Sequence, residues 1–167
     1  MKTRKSLLIL YMSAGLLSIT ACGNGKTASQ NGETTPEEVT ANIVYTIGDM
    51  ADLPSLVDVT ATYTDADGEL QTEPVTTLPW TKSLTEVAMP VQPMLIVSYA
   101  IKPGVIYDKP FYTFTRTLNV SVSTTDGRSD AAPSSSTFNV DNSGDELTQH
   151  LQQLASKADT LRLEELE

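Results

Sequence analysis

The sequence holds one cysteine, Cys22, and one histidine, His150, so few of its side chains could do nucleophilic or metal chemistry. Cys22 follows a basic start over residues 1–5, an apolar run over residues 7–19, and the small pair Thr20-Ala21. This order is typical of a bacterial secretory signal, because the apolar run is too short to span a bilayer comfortably and small residues mark the cleavage point. The chemistry expected at Cys22 is therefore processing and modification, and residues 1–21 are the predicted signal peptide.

The four residues Ile19-Thr20-Ala21-Cys22 resemble the lipobox of bacterial lipoproteins. The resemblance implies that a diacylglyceryl thioether forms on Cys22, that signal peptidase II cleaves before it, and that the new amino terminus is acylated. The lipid alone would then hold the protein at the membrane, since each buried CH₂ of an acyl chain contributes ~0.8 kcal/mol. An ordinary secreted protein with an unmodified cysteine is the alternative.

The charge of the chain excludes some partners. Its 167 residues carry 11 lysines and arginines against 21 aspartates and glutamates, a formal charge of −10 that becomes −13 when Lys2, Arg4 and Lys5 leave with the signal. Phosphate backbones repel a chain this acidic, so we expect no nucleic-acid partner. Once Cys22 is lipidated, no thiol remains for a disulfide, a zinc–thiolate site or thiol catalysis.

Other chemical candidates have simpler structural interpretations. Asp65, Asp67 and Glu69 alternate as ligands do in calcium loops, but the further ligands of that pattern are missing and a hairpin turn explains the three residues. His150 lies beside a stripe of leucines, which favours a structural or surface role. The sequence has no GxSxG, no HExxH and no phosphate-binding glycine loop. We therefore expect no enzyme activity, no metal and no cofactor.

Four aromatic residues are candidate contacts for a ligand or partner: Trp80, Tyr107, Phe111 and Tyr112. Trp80 could stack on a sugar, although a lone tryptophan in a small β domain usually lies in or near the core. The other three flank Lys109-Pro110 and could line a groove, or divide between core and rim.

From residue 40 to residue 142 the chain is rich in Val, Ile, Thr and Tyr, with turn residues between short runs, as β domains are. About seven strands are predicted, over 43–47, 57–63, 75–80, 81–89, 94–101, 111–123 and 134–140, with 94–101 central and 134–140 at an edge. Residues 81–89 either continue the strand over 75–80 or begin a new one after Pro79. Their spacing predicts one antiparallel β-sandwich, immunoglobulin- or transthyretin-like. The expected core comprises Ile43 or Val44, Val59, Ala61, Tyr63, Trp80, Leu95, Val97, Leu118 and Val120. Residues 22–39 form the predicted lipidated amino terminus and flexible tether.

The last segment, residues 143–167, is predicted to be an amphipathic helix. Its stripe comprises Leu147, Leu151, Leu154 and Leu161. An isolated helix of this length is marginal in water, so the leucines need a partner. We favour packing on the protein's own domain, with self-association through the stripe as the alternative. Asp159-Thr160-Leu161 also resembles the acceptor pattern of Bacteroidetes O-glycosylation, and this is left open.

Residues 59–68 (VTATYTDADG) and 77–82 (TLPWTK) resemble the soluble domain of the MmpS family, over about Ile43 to Ala88. That family comprises small immunoglobulin-like accessory proteins of mycobacterial lipid transporters. This chain departs from it by the lipobox, the carboxy-terminal helix and the absence of the family's cysteines. The whole layout is also similar to small Bacteroidetes lipoproteins.

These observations predict a non-catalytic, lipid-anchored envelope protein that binds another protein as an adaptor. Because no acidic cluster follows Cys22 and Gly23 is not aspartate, we expect the periplasmic face of the outer membrane. The alternatives are a carbohydrate- or peptidoglycan-binding module and a structural oligomer of the envelope.

Overall fold

A computed structural model describes residues 37–167, so the signal, Cys22 and most of the tether lie outside the described residues. These residues form two four-stranded antiparallel sheets that share one core, with two helices between strands. The elements are β1 (Thr40–Ile47), α1 (Leu53–Leu56), β2 (Val57–Thr64), β3 (Leu70–Pro74), β4 (Trp80–Ala88), β5 (Met94–Ile101), β6 (Phe111–Thr124), β7 (Ser129–Asp141), α2 (Glu146–Ser156) and β8 (Asp159–Arg162).

The first sheet has the order β4-β1-β6-β7 and the second has the order β3-β2-β5-β8. The predicted mainly β, sandwich-like fold is therefore confirmed. β5 lies inside its sheet and β7 lies at an edge, as their apolar and polar compositions predict.

Alternation along the strands decides which side chains enter the core. Ile43, Tyr45 and Ile47 of β1 are fully buried, whereas Val44 and Thr46 between them are half-buried and Asn42 before them is exposed. The predicted core residues from β2, β5 and β6 are buried too, namely Val59, Ala61, Tyr63, Leu95, Val97, Leu118 and Val120. Of the pair left open, Ile43 is the buried one, and Trp80 packs against the core while only half-buried.

The predicted strand over residues 75–80 is wrong. The tight turn after β2 places Leu70 opposite Thr64, so the returning strand β3 begins immediately and ends at Pro74. Residues 75–79 then cross to the other sheet, and Trp80 begins β4 opposite Ile47. The strand that returns after the turn therefore begins at Leu70, five residues before the start that the apolar pattern predicted.

The predicted helix over residues 143–167 is too long. α2 ends at Ser156, and β8 adds to β5 by pairing Asp159–Arg162 with Met94–Val97. Leu161 on this strand is half-buried and Leu163, one residue beyond its end, is buried, so a spacing that suited a helix also suits extended chain. With β8 the described residues contain eight strands rather than about seven.

β1 and β6 define the two ends of the domain. Thr40, where the chain enters from the tether, hydrogen-bonds to Thr125 at one end, which we call the tether end. β6 runs from there back to Phe111 at the other end, which we call the tip. A strand of 14 residues spans about 40 Å, so the tip lies far from the point where the tether enters.

Candidate functional site

The loop between β5 and β6, residues 102–110, exposes apolar surface at the tip and is called the tip loop. Ile106 in this loop is 83% exposed and Phe111, the first residue of β6, is 54% exposed. Ile101, the last residue of β5, also lies at this end and is 36% exposed. Single exposed apolar residues are ordinary, but three at one end of a small acidic domain form a candidate contact surface.

Hydrogen bonds tie residues 107–109 of the tip loop to the neighbouring strands. The buried Tyr112 hydroxyl accepts the backbone N–H groups of Asp108 at 2.9 Å and Lys109 at 3.3 Å. The Asn142 amide donates to the carbonyl oxygens of Tyr107 at 3.3 Å and Lys109 at 2.9 Å. The Tyr107 and Tyr112 rings meet edge to face with centroids 6.4 Å apart. The exposed Ile106 is therefore carried by a loop whose neighbouring backbone is tied to β6 and to the end of β7.

The structure separates the three aromatic residues predicted around Lys109-Pro110. Tyr112 is buried and anchors the loop, Tyr107 is half-buried against it, and Phe111 is exposed. Alternation along β6 explains the division between Phe111 and Tyr112. Phe111 is the one whose side chain is largely free to meet a partner.

Each of the two lysines at the tip forms an ion pair with a carboxylate. Lys109 Nζ lies 2.6 Å from Asp52 Oδ1, and Lys102 Nζ lies 3.8 Å from Asp58 Oδ1. The Lys109 hydrogen bond and the Thr113 backbone N–H, 2.8 Å from Asp52 Oδ2, lower the pKa of Asp52. These pairs leave the tip with little free positive charge.

Other carboxylates at the tip have no cationic partner. Within residues 37–167, no lysine or arginine lies within salt-bridge distance of Asp49, Asp108 or Asp141. Asp141 lies opposite Phe111 in the β6–β7 register, and Asp108 lies two residues from Ile106. The apolar side chains of the tip are thus bordered by negative charge.

The second candidate surface is the open edge of β7. Thr124 N–H donates to the Arg128 carbonyl and Asn142 N–H to the Pro110 carbonyl, each at 2.9 Å, so even-numbered residues face β6. Odd-numbered residues therefore direct their backbone groups to the open edge. Pro133 is one of these, and it removes a donor from the edge without breaking the ladder. From Ser135 to Asp141 the edge is open to an added strand.

Trp80 takes part in a network of hydrogen bonds that links the two sheets. Its indole N–H donates to Glu73 Oε1 at 3.0 Å, and Lys82 Nζ donates to Glu73 Oε2 at 3.1 Å. Its ring lies 6.0 Å from that of Tyr63. Burial raises the pKa of Glu73, but the bonds from Lys82 and Trp80 outweigh it and the pKa is lowered. Trp80 thus joins β4 to β3, and its indole N–H has a protein partner.

A second polar cluster fastens β8. Arg116 donates to both carboxylate oxygens of Asp159, at 2.9 and 3.1 Å, and the Tyr99 hydroxyl donates to Asp159 at 2.7 Å. Burial and this bond to Asp159 raise the pKa of Tyr99. Asp159-Thr160-Leu161 therefore lies in an edge strand rather than a helix, with Thr160 exposed. Its glycosylation stays a prediction.

The leucine stripe is used by the domain itself. Leu147, Leu151 and Leu154 are buried in the shared core, and Leu161 is half-buried on β8. This is the own-domain packing that the sequence analysis favours. His150 of α2 packs beside both Phe114 and Phe138, with ring centroids 5.9 and 4.7 Å away, while the two phenylalanine rings lie 5.7 Å from each other.

Both oxygens of the Asp65 carboxylate accept hydrogen bonds from nearby residues. One oxygen accepts the N–H groups of Asp67 and Glu69 at 3.0 and 2.9 Å, and the other accepts Gln71 at 2.8 Å. Gly68 closes the turn with φ of 81°, which glycine adopts without strain. In the described part of the chain, no group of three or more His, Cys, Asp or Glu residues could hold a metal ion.

Sequence reasoning missed Ile106 and Asn142. Ile106 stands in the short run Val105-Ile106-Tyr107 between Gly104 and Asp108, and three apolar residues among turn residues are too few to give a periodic signal. Asn142 follows the last residue of β7, and only the folded contact with the tip loop shows what it does. A bulky apolar residue inside a Pro- and Gly-containing loop was the available clue.

Among residues 37–167, no helix is long and apolar enough to cross a membrane. Comparison with protein-family models and with curated proteins finds no match to this chain.

Proposed function

We propose that this protein is a non-catalytic adaptor of the bacterial cell envelope, anchored by a lipid on Cys22 and bound to another envelope protein through its tip. The supporting observation is the tip loop, which holds the exposed Ile106 in a hydrogen-bonded frame about 40 Å from the tether end. A rigid apolar contact far from the anchor suits a protein that reaches from a membrane to a partner.

The arrangement of the anchor and the tip supports this proposal. The chain enters the domain at Thr40, so a lipid at Cys22 would attach the domain to the membrane through its tether end, and the tip would be the end farther along the domain from that attachment. A tether also raises the effective concentration of the domain at partners in the same membrane. The periplasmic face of the outer membrane is the proposed location.

We further propose that the two sheets form an immunoglobulin- or transthyretin-like sandwich. Two four-stranded antiparallel sheets around one core suit an immunoglobulin- or transthyretin-like sandwich. Such domains present loops at their ends, as this protein does at its tip.

In-cell crosslinking of the tagged full-length protein, beside a Cys22→Ala variant, tests the function. We expect mass spectrometry to identify one dominant envelope protein with the wild type and much less of it with the unlipidated variant. Recovery of only the protein itself, or of glycans, would contradict an adaptor role.

A further inference from the structure

We propose that the tip docks into an apolar pocket on the partner protein that is bordered by lysines or arginines, with Ile106 as the central anchor. This inference rests on the proposed function and names the chemistry of its partner. It assigns the binding to the tip rather than to the open edge of β7.

Ile106 combines high exposure with a neighbouring backbone that is held by hydrogen bonds. Ile106 is 83% exposed although the backbone on its carboxy-terminal side is fixed by Tyr112 and Asn142. A loop ordered before binding loses little conformational freedom when a partner covers it. Fully desolvated apolar anchors near the centre of an interface dominate its affinity, and Ile106 has the most exposed large apolar side chain of the described residues.

Carboxylates surround the apolar anchor at the tip. Asp108 and Asp141 border the apolar side chains and form no salt bridge within residues 37–167, although Asp108 lies near enough to Lys109 to help raise the pKa of that lysine. Lys102 and Lys109 at the same end are paired with Asp58 and Asp52. Complementarity therefore requires a basic rim on the partner, and it disfavours an anionic lipid surface.

The open edge of β7 offers less selective chemistry. Its outward face carries hydroxyl and amide side chains that already bond across to β6, as in Thr115 with Thr137 at 3.2 Å and Thr113 with Asn139 at 2.8 Å. Pro133 interrupts its donors. An added strand would gain backbone bonds there but no apolar anchor.

The first test places a photo-crosslinking residue at position 106 or at position 70 of the lipidated protein in cells. Leu70 is a matched control, because it is also exposed, at 52%, but lies at the turn after β2 at the tether end. We expect the partner to be captured from position 106 and not from position 70. Capture from position 70 alone, or capture of lipid from position 106, would overturn the inference.

The second test measures affinity for the captured protein after purification. Ile106→Asp should weaken binding at least about thirty-fold, the loss typical of an interface hot spot, while Leu70→Asp should leave it unchanged. Thr137→Pro, which removes an outward N–H of β7 as Pro133 does, should also leave it unchanged. Loss of binding with Thr137→Pro and retention with Ile106→Asp would assign the contact to the strand edge and overturn the inference.

The third test addresses charge. The association rate of the wild type should fall as the salt concentration rises. Asp141→Lys should lower the association rate at low salt and weaken its dependence on salt. Asp67→Lys, an equal change in the turn at the tether end, is the control. An association rate that does not change with salt would refute the proposal that lysines or arginines border the partner's pocket. If no envelope protein is captured from any position, the proposed function itself fails, whereas capture that ignores Ile106 refutes only this inference.

Discussion

Among single residues, Tyr112 has the most connected role at the tip. Its ring is buried, and its hydroxyl accepts two backbone N–H groups of the tip loop while donating to Asp108 at 3.2 Å. One side chain thus satisfies backbone groups that a loop would otherwise leave to water. The aromatic cluster that the sequence suggested as a groove is instead the support of an exposed residue beside it.

Asp52 is expected to make the domain sensitive to acid. Its pKa is lowered by the Lys109 hydrogen bond, so its contribution to stability is complete above its unfolded pKa of about 3.9 and is lost as pH falls through the lower folded value. The free energy of unfolding, measured by urea denaturation at several pH values, should fall below about pH 4. The free energy of unfolding of Asp52→Asn should fall less steeply in this pH range.

The control for that measurement is Asp141→Asn, because Asp141 has no cationic partner among the described residues. It should follow the wild-type curve. Hydrogen bonds from Gln71 and Thr124 also lower the pKa values of Asp65 and Asp126, so a part of the acid sensitivity should survive in Asp52→Asn. Identical curves for wild type and Asp52→Asn would show that the Lys109 pair adds no stability.

Among the elements, α2 shows what a pattern can and cannot predict. The spacing of Leu147, Leu151 and Leu154 correctly predicts a helix with one buried face. The same spacing continues to Leu161, where it wrongly predicts a helix. That segment is a strand, because pairing with the edge of β5 satisfies its backbone groups, and the spacing of apolar residues does not reveal such pairing. β1, β2 and β6 were predictable from alternation, whereas β3 and β8 were not, and the tip depends on contacts between residues distant in sequence, such as Asn142 with Lys109.

Leu151→Ala is expected to destabilise the domain by about 2–5 kcal/mol, because it opens a cavity at a fully buried position. Gln152→Ala, on the exposed side of α2, should change stability by less than about 0.5 kcal/mol. Urea denaturation provides both values.

Sedimentation of the wild type and both variants accompanies this measurement. If Leu151→Ala left stability unchanged but turned a dimer into a monomer, the stripe would be an interface between copies rather than part of the core.

For the whole molecule, the lipobox resemblance predicts where the protein is found. Cys22→Ala should leave the domain folded and move the protein from the membrane fraction to the soluble fraction, because the lipid is the proposed attachment. Cell fractionation with immunodetection measures this, and intact-mass analysis of the wild type should show the added acyl groups. Ser83→Ala, an exposed change on β4, is a control that should stay with the membrane. Membrane retention of Cys22→Ala would contradict lipid anchoring.

The position of β1 between β4 and β6 has a mechanical consequence. If a partner grips the tip while the membrane holds the amino terminus, the load enters at Thr40 and leaves near Phe111. Force would then act along β1 and β6 in opposite directions, so the hydrogen bonds from Ala41 to Ile47 would be sheared together rather than unzipped in turn. A domain loaded in this way resists extension, and it could transmit tension between its anchor and its partner without unravelling.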